Sequence, residues 1–311
     1  MKTMNALGVA LVAVGSLMAL PAMAEVTHNR LGANRLGANR LDANKLAAGK
    51  LGTHKIAAGA LGTLTSTQAA FCAPEIGFNC VAMDKDSAGA LLATEGGRDL
   101  LTYIVSCAIP ERTLMVVEDP GVSEILGPNG ELVPLEGIYF GGIGLASEWL
   151  DARLSKAGIG WVSACLFARV NANGEALDIS FRGKHPSLAT DADEAAAYPV
   201  EEGAFYGNYF TPPDQPFVAL ACEGRGQASG EFGGLVDRDC TELVPGTTMT
   251  QCGFTYAGSC FDVVGQQGAC KKSPGAGGGY NECSADGRSQ PKGKGKTNVY
   301  REVITTFVKA R

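Results

Sequence analysis

Ten cysteines behind an export signal constrain the fold of this chain more than any other feature of the sequence. Residues 1–24 contain a short polar start, an apolar run and an Ala22-Met23-Ala24 cleavage pattern, so we expect a secretory signal peptide that is removed before Glu25. An even number of cysteines in an exported chain predicts disulfide bonds, although their spacing leaves most pairings open. The cysteines are Cys72, Cys80, Cys107, Cys165, Cys222, Cys240, Cys252, Cys260, Cys270 and Cys283.

The export signal predicts a location in the periplasm, at the cell surface or outside the cell. No later apolar segment reaches the roughly 20 residues of a transmembrane helix. Glu25 stands where a lipid-anchored precursor would need a cysteine. We therefore expect the mature protein to be soluble or peripherally attached, without a transmembrane span.

Metal and cofactor motifs are weak in this sequence. No two cysteines form a Cys-x-x-Cys pair and the three histidines are scattered, which excludes the common zinc spacings. Asp84, Asp86 and Glu95 match calcium-ligand positions of an EF-hand loop, but other positions of the loop do not fit. A helix start capped by Asp86 or Ser87 explains the same residues better. We therefore predict no metal and no cofactor.

Seven five-residue units, beginning with Asn29-Arg-Leu-Gly-Ala, occupy residues 29–63. A five-residue step rotates an α-helix by roughly 140°, so the central leucines would spiral around the axis and bury no face. Two interpretations remain, a short β-solenoid with the leucines inside or a disordered basic linker. In both, regularly spaced cations are the predicted binding residues of the arm. They are Arg30, Arg35, Arg40, Lys45, Lys50 and Lys55.

Charge divides the chain into three segments. Residues 29–63 carry six basic and one acidic residue, residues 64–269 carry 10 basic and 27 acidic residues, and residues 270–311 carry nine basic and three acidic residues. A basic arm on an acidic body predicts an anionic partner such as a polysaccharide or lipopolysaccharide. Because the body is acidic and the arm lacks interleaved aromatic residues, the pattern argues against specific nucleic-acid binding.

The strongest pattern in the body runs from Ile159 to Gly183. Its first half is apolar at nearly every position, so its periodicity fits a helix and a strand equally well. We favour a helix with Trp161 and Cys165 facing the core, followed by a turn and a strand. In that strand apolar and polar residues alternate from residue 177 to residue 182, which predicts one buried face.

Other segments supply the remaining elements. Residues 99–109 have apolar residues at helical spacing, and Cys107 in this helix is a candidate partner for Cys165. Cys72 and Cys80 are expected to close a small loop. Residues 137–158 predict a strand, a glycine turn and a helix that ends at Gly158, and residues 297–308 predict a final strand paired into the main sheet.

Four segments of the body resemble those of uncharacterised exported proteins of predatory soil bacteria, in which Asn-x-Leu five-residue repeats precede a cysteine-containing body. The segments are Leu100-Leu-Thr-Tyr-Ile-Val-Ser-Cys-Ala-Ile-Pro110, Gly144-Leu-Ala-Ser-Glu-Trp149, Trp161-Val-Ser-Ala-Cys-Leu-Phe-Ala-Arg-Val-Asn171 and Glu202-Gly-Ala-Phe-Tyr-Gly-Asn208. The resemblance covers roughly residues 29–222, although the similar proteins often carry extra cysteines where this chain has residues 157–160. It implies the same arm-and-body organisation and no particular activity.

His185 is the one histidine of the body, so a hydrolytic site would use it as the general base or would use a pair of acidic residues instead. Ser163 and Ser187 are the candidate nucleophiles for such a site. A loop histidine beside a proline is more often simply exposed. The acidic residues around Asp191 and Glu201 are better interpreted as a solvated face than as a catalytic pair.

The whole sequence predicts an α+β, disulfide-bonded globular body behind an arm that is β-solenoid-like or disordered. We divide the chain into a signal peptide (1–24), a basic repeat arm (25–70), an α+β body (71–221) and a cysteine-rich, loop-rich lobe with a final strand (222–311). The expected function is that of an exported, surface-associated binding or structural protein. A secreted hydrolase that uses His185 or an acidic pair is the alternative.

Overall fold

The computed structural model describes residues 26–28, 31–32, 72–83, 92, 95–117, 122–126, 132–171, 178–211, 217–227, 238, 240, 245–247, 249–250, 252–264, 267–272, 277–285 and 298–310. In these residues the helices are α1 (Glu95–Ala108), α2 (Lys156–Ala168) and α3 (Ala192–Ala197), and short 3-10 helices lie at Pro74–Ile76, Ser147–Leu150, Pro186–Leu188 and Arg225–Gln227. The strands are β1 (Val26–His28), β2 (Leu31–Gly32), β3 (Asn79–Met83), β4 (Thr113–Val117), β5 (Val122–Leu126), β6 (Leu132–Glu136), β7 (Ile138–Phe140), β8 (Val170–Asn171), β9 (Asp178–Arg182), β10 (Val200–Asn208), β11 (Val218–Glu223), β12 (Thr255–Ser259), β13 (Cys270–Lys272), β14 (Tyr280–Ser284), β15 (Val299–Tyr300) and β16 (Ile304–Val308). The body is therefore an α+β fold, as the sequence predicts.

A six-stranded sheet forms the centre of the fold, in the order β1-β9-β16-β10-β11-β12. Its neighbouring strands are antiparallel except for β11 and β12, which are parallel. β16 lies between β9 and β10, which confirms that the predicted final strand joins the main sheet at residues 304–308. The first part of the predicted strand is instead β15, which pairs with β14 in a separate sheet. β1 comes from the start of the chain and pairs with β9 at one edge.

A β3–α1–β4 unit forms a second layer. β3 and β4 are parallel, which requires a crossover between them, and α1 lies in that crossover. β7 extends this sheet antiparallel to β4. α1 packs against α2, and α2 packs against β10 and β16 of the central sheet. The disulfide Cys107–Cys165 joins α1 to α2, and Trp161 and Cys165 belong to the core, as predicted.

α2 is buried along most of its length because it lies between α1 and the central sheet. Ser155 caps it by accepting a hydrogen bond from the amide of Gly158 (2.9 Å). The predicted helix that ends at Gly158 is wrong, since α2 begins at Lys156 and continues through Gly158 and Gly160. The glycines allow close contacts, because a Cβ at Gly160 would lie 2.8 Å from Cγ of Glu302.

None of the helices in the described ranges, α2 included, meets the length and hydropathy that crossing a bilayer requires.

β9 departs from its predicted pattern of burial. Ile179 and Phe181 are buried as expected, but Ser180 and Arg182 on the other face are buried as well. The Arg182 guanidinium donates a hydrogen bond to the carbonyl oxygen of Tyr198 (2.6 Å), so its charge is held inside the fold. The prediction of a strand with one buried face is wrong, because alternation along a strand does not reveal what covers its polar face.

Five disulfide bonds crosslink the chain and involve all ten cysteines. Besides Cys107–Cys165, the bonds are Cys72–Cys80, Cys222–Cys260, Cys240–Cys252 and Cys270–Cys283. The disulfide prediction is therefore confirmed, including the small loop closed at residue 80. The central sheet takes strands from before and after residue 221, and the predicted boundary between body and lobe stays a prediction.

Gly207 in β10 provides a test of strand packing in the central sheet. Its φ is 139°, and a Cβ at this position would overlap the carbonyl oxygen of Val218 in the neighbouring β11. We expect Gly207→Ala to lower the free energy of unfolding by about 2 to 4 kcal/mol, because it adds backbone strain and steric overlap.

The matched control for this variant is Gly253→Ala. Gly253 has a φ of 80°, but a Cβ there would meet nothing within 4 Å, so only the backbone strain remains. We expect its loss to be about 1 kcal/mol in urea unfolding. Equal losses for the two variants would contradict the steric contact between β10 and β11.

Candidate functional site

His185 lies at the start of the 3-10 helix Pro186–Leu188 and caps it. Its Nδ1 accepts a hydrogen bond from the amide of Ser187 (3.1 Å), which assigns the proton of the neutral ring to Nε2. The ring packs edge-on against Trp161, with 5.1 Å between the ring centres. Burial lowers the pKa of His185, and the negative charge of Glu148 partly opposes this shift. The half-buried imidazole is therefore neutral at neutral pH and serves as a helix cap.

The two candidate nucleophiles form their hydrogen bonds elsewhere. The Ser187 hydroxyl donates to the carbonyl oxygen of Gly144 (3.2 Å). The Ser163 hydroxyl donates to a carbonyl of its own helix (2.7 Å) and accepts from the amide of Tyr209 (2.9 Å). Within the described ranges, neither hydroxyl is hydrogen-bonded to the His185 ring. His185 therefore does not form, with either serine, the hydrogen-bonded pair that nucleophilic catalysis uses.

Glu201 and Glu202 in β10 are buried, so the predicted solvated acidic face is wrong for these residues. Glu201 is 5% exposed and Glu202 is 1% exposed. Adjacent residues of a strand point to opposite faces of a sheet, and the two carboxylates have separate partners. Asp191 is exposed, as expected, and caps α3 by accepting a hydrogen bond from the amide of Glu194 (2.7 Å).

Glu202 forms a two-point ion pair with Arg238. Nε and Nη2 of Arg238 donate to the two carboxylate oxygens, at 2.5 and 2.7 Å. Nη1 of the same side chain donates to the carbonyl oxygens of Ala168 at the end of α2 (2.6 Å) and of Val170 in β8 (3.0 Å). The Thr306 hydroxyl of β16 also donates to Glu202 (2.7 Å). This network ties the end of α2 to two strands of the central sheet.

Glu201 has a second, independent set of donors. Nζ of Lys272 in β13 lies 2.6 Å from Oε2, and Oε1 accepts from the Tyr280 hydroxyl (2.7 Å) and the Arg225 amide (3.2 Å). Burial and the hydrogen bond to Glu201 raise the pKa of Tyr280, so the phenol remains a proton donor. Both oxygens of each glutamate therefore accept hydrogen bonds from the protein itself, and these carboxylates serve the fold.

The predicted binding residues of the arm lie outside the described residues, as do Asp84 and Asp86 of the calcium candidate. Glu95, the third member of that candidate, is the first residue of α1. The arm is described at β1, which pairs with β9, and at β2, which pairs parallel with β8. The start of the arm is thus attached to the body at two places. The binding residues outside the described ranges are Arg30, Arg35, Arg40, Lys45, Lys50 and Lys55.

Arg238 is the important charged residue that sequence reasoning missed. It stands between Asp237 and Asp239, a context that suggests local charge pairing at the surface. Its partner Glu202 is 36 residues away, and no local pattern connects the two. Comparison with protein-family models, with curated proteins and with solved structures finds no match for this chain. The functional conclusion therefore depends on the residues themselves.

The Glu202–Arg238 pair predicts a specific pattern of mutational effects. Arg238→Met should lower the free energy of unfolding by about 3 to 5 kcal/mol, because it leaves Glu202 buried without its counter-ion. The double variant Glu202→Gln/Arg238→Met should lose less than the sum of the two single variants, since the residues act as a pair.

The exposed ion pair Lys309–Asp178 supplies the control for this comparison. Because the pair is exposed to solvent, Lys309→Met should cost far less stability than Arg238→Met. Urea unfolding of the four variants and the wild type measures all these effects. Additive losses at Glu202 and Arg238 would show that the two residues do not act as one buried pair.

His185 predicts a pH dependence of stability. Its pKa is lower in the folded protein than the usual value of 6.5, so the unfolded chain binds more protons as the pH falls through this range. The contribution of neutral His185 to the free energy of unfolding is therefore complete above pH 6.5, and it is lost as the pH falls from 6.5 through the lower pKa of the folded protein. We expect His185→Asn, which retains a capping acceptor, to lose less stability than the wild type between neutral pH and about pH 5. Parallel urea midpoints for the two proteins over this range would contradict the prediction.

Proposed function

We propose that the chain is an exported, surface-associated binding or structural protein whose basic arm contacts an anionic polymer of the cell surface, a polysaccharide or lipopolysaccharide. The observation that carries the proposal is the pairing of the first strands of the arm with the body. β2 lies in the first repeat unit and pairs with β8, which directly follows α2. The repeat units that follow β2 in the sequence, with their cations, are therefore connected to the body at a defined strand.

The charge pattern of the arm supports an anionic partner. Its six basic residues recur every five positions, with a single acidic residue in residues 29–63. Regularly spaced cations suit a polymer whose charges also repeat, and each Lys or Arg near an anionic lipid surface contributes about 1 kcal/mol. Because residues 64–269 are acidic and repel an anionic partner, we expect the arm, and not this part of the body, to make the contact.

The body supports a binding or structural role more than a catalytic one. His185 caps a 3-10 helix, and the oxygens of Glu201 and Glu202 accept hydrogen bonds from the protein. Five disulfides crosslink the body, which is typical of exported proteins. A crosslinked body at the end of an adhesive arm suits a protein that is retained at the cell surface.

The proposal predicts salt-sensitive binding by the full mature chain. We expect the protein to co-sediment with lipopolysaccharide or an anionic polysaccharide at low salt and to be released as the salt concentration increases, because salt screens exposed charges. Replacing all six arm cations by Gln should abolish this retention. The substitutions leave the backbone of β1 and β2 in place, whereas a truncation of the arm would remove both strands from the body.

A matched control replaces six exposed basic residues outside the arm by Gln and should leave binding intact. These residues are Arg153, Lys156, Lys184, Lys271, Arg301 and Lys309. Both variants have the same change in net charge, so the comparison isolates the position of the cations. An equal loss of binding in the two variants, or retention that does not change with salt, would contradict the proposal.

A further inference from the structure

Three arginines in the described part of the chain are buried, and two of them have protein acceptors for their charge. Arg238 donates to Glu202 and to two carbonyl oxygens, one at the end of α2 and one in β8. Arg182 donates to the Tyr198 carbonyl (2.6 Å), with further contacts to a serine hydroxyl and a second carbonyl. The third, Arg169, differs from both.

Arg169 directly follows α2 and is 5% exposed. Its guanidinium lies over the rings of Tyr103 and Phe181, with 5.5 and 5.9 Å from Cζ to the ring centres. Its Nε is buried and has no hydrogen-bond partner. Within the described ranges, the Arg169 side chain has neither a carboxylate nor a carbonyl as acceptor. Burial lowers its pKa to about 10, so the side chain is still cationic at neutral pH.

The surroundings of Arg169 compensate this charge only in part. Aromatic faces attract a cation but do not accept hydrogen bonds in the plane of a guanidinium. The partial negative charge at the end of α2 also favours a cation, but the carbonyl oxygen of Ala168 there, like that of Val170 in β8, already accepts from Arg238. Burying a guanidinium without an acceptor is costly, because the buried Nε–H has lost its water and has no partner in the described part of the chain.

We propose that Arg169 binds an oxyanion, a carboxylate, sulfate or phosphate group, at the end of α2 beside Tyr103. Such groups accept two parallel hydrogen bonds from one guanidinium, which is the interaction that Arg169 lacks in the described part of the protein. Tyr103 is half-buried, and an anion would approach Arg169 from that side of α1. The site belongs to the body and is separate from the cations of the arm, and it does not depend on the polymer proposed for them.

Thermal unfolding of the full mature protein tests this site. Sodium acetate, sulfate and phosphate are each compared with sodium chloride at matched ionic strength, for the wild type, Arg169→Met and Arg153→Met. Arg153 is exposed and serves as the matched control. It also corrects for the general stabilisation of proteins by sulfate and phosphate, which does not require a binding site.

We expect at least one oxyanion, present at ten times its Kd, to raise the Tm of the wild type and of Arg153→Met by about 2 to 5 °C more than that of Arg169→Met. A larger effect of acetate would identify a carboxylate site, and a larger effect of sulfate or phosphate a site for a tetrahedral anion. Equal shifts in the three proteins, or no shift beyond chloride in any of them, would overturn the proposal.

If Arg169→Met does not fold, Arg169→Lys replaces it in the same experiment. This variant keeps the positive charge but loses the planar fork that binds an oxyanion at two points. The Tm shift caused by the anion should then decrease by at least half. A full shift in Arg169→Lys, measured against Arg153→Lys, would equally overturn the proposal.

Discussion

The fold depends on a buried guanidinium where α2 meets the central sheet. Arg238 connects two carbonyl oxygens, one at the end of α2 and one in β8, to Glu202 in β10, and Thr306 extends the network to β16. Breaking one part of a buried ion pair leaves the other charge without a partner, so the elements are held together as a unit. The Cys107–Cys165 disulfide adds the second layer to the same helix.

Charge therefore has different roles in different parts of this protein. Inside the fold, Glu201 and Glu202 are neutralised by Lys272 and Arg238, and these pairs join residues that are distant in sequence. Arg169 is the exception, a buried cation beside aromatic rings. Along the arm, six cations recur without interspersed acidic partners except at Asp42. We accordingly propose that the arm and Arg169 are the parts of the protein that interact with other molecules.

Local patterns predicted the local features of the fold. The helix around Cys107 follows from periodicity and is confirmed. The segment with Trp161, whose periodicity fits a strand equally well, is confirmed as the buried helix that we favour. The final strand is confirmed in the main sheet at residues 304–308. The burial of Glu202 did not follow from the sequence, because its counter-ion lies 36 residues away in a segment with acidic neighbours. The glycines of α2 predicted a helix end and instead allow close packing, since a glycine signal does not distinguish a turn from a close contact.

Native-state hydrogen exchange on the mature protein tests most directly whether the end of α2 and the central sheet form one unit. If the Arg238 network joins them, the amides of residues 165–168, β10 and β16 should exchange only through global unfolding and with the same free energy. Exchange at the end of α2 through local opening, at a free energy well below that of β10, would contradict a fold organised by this network.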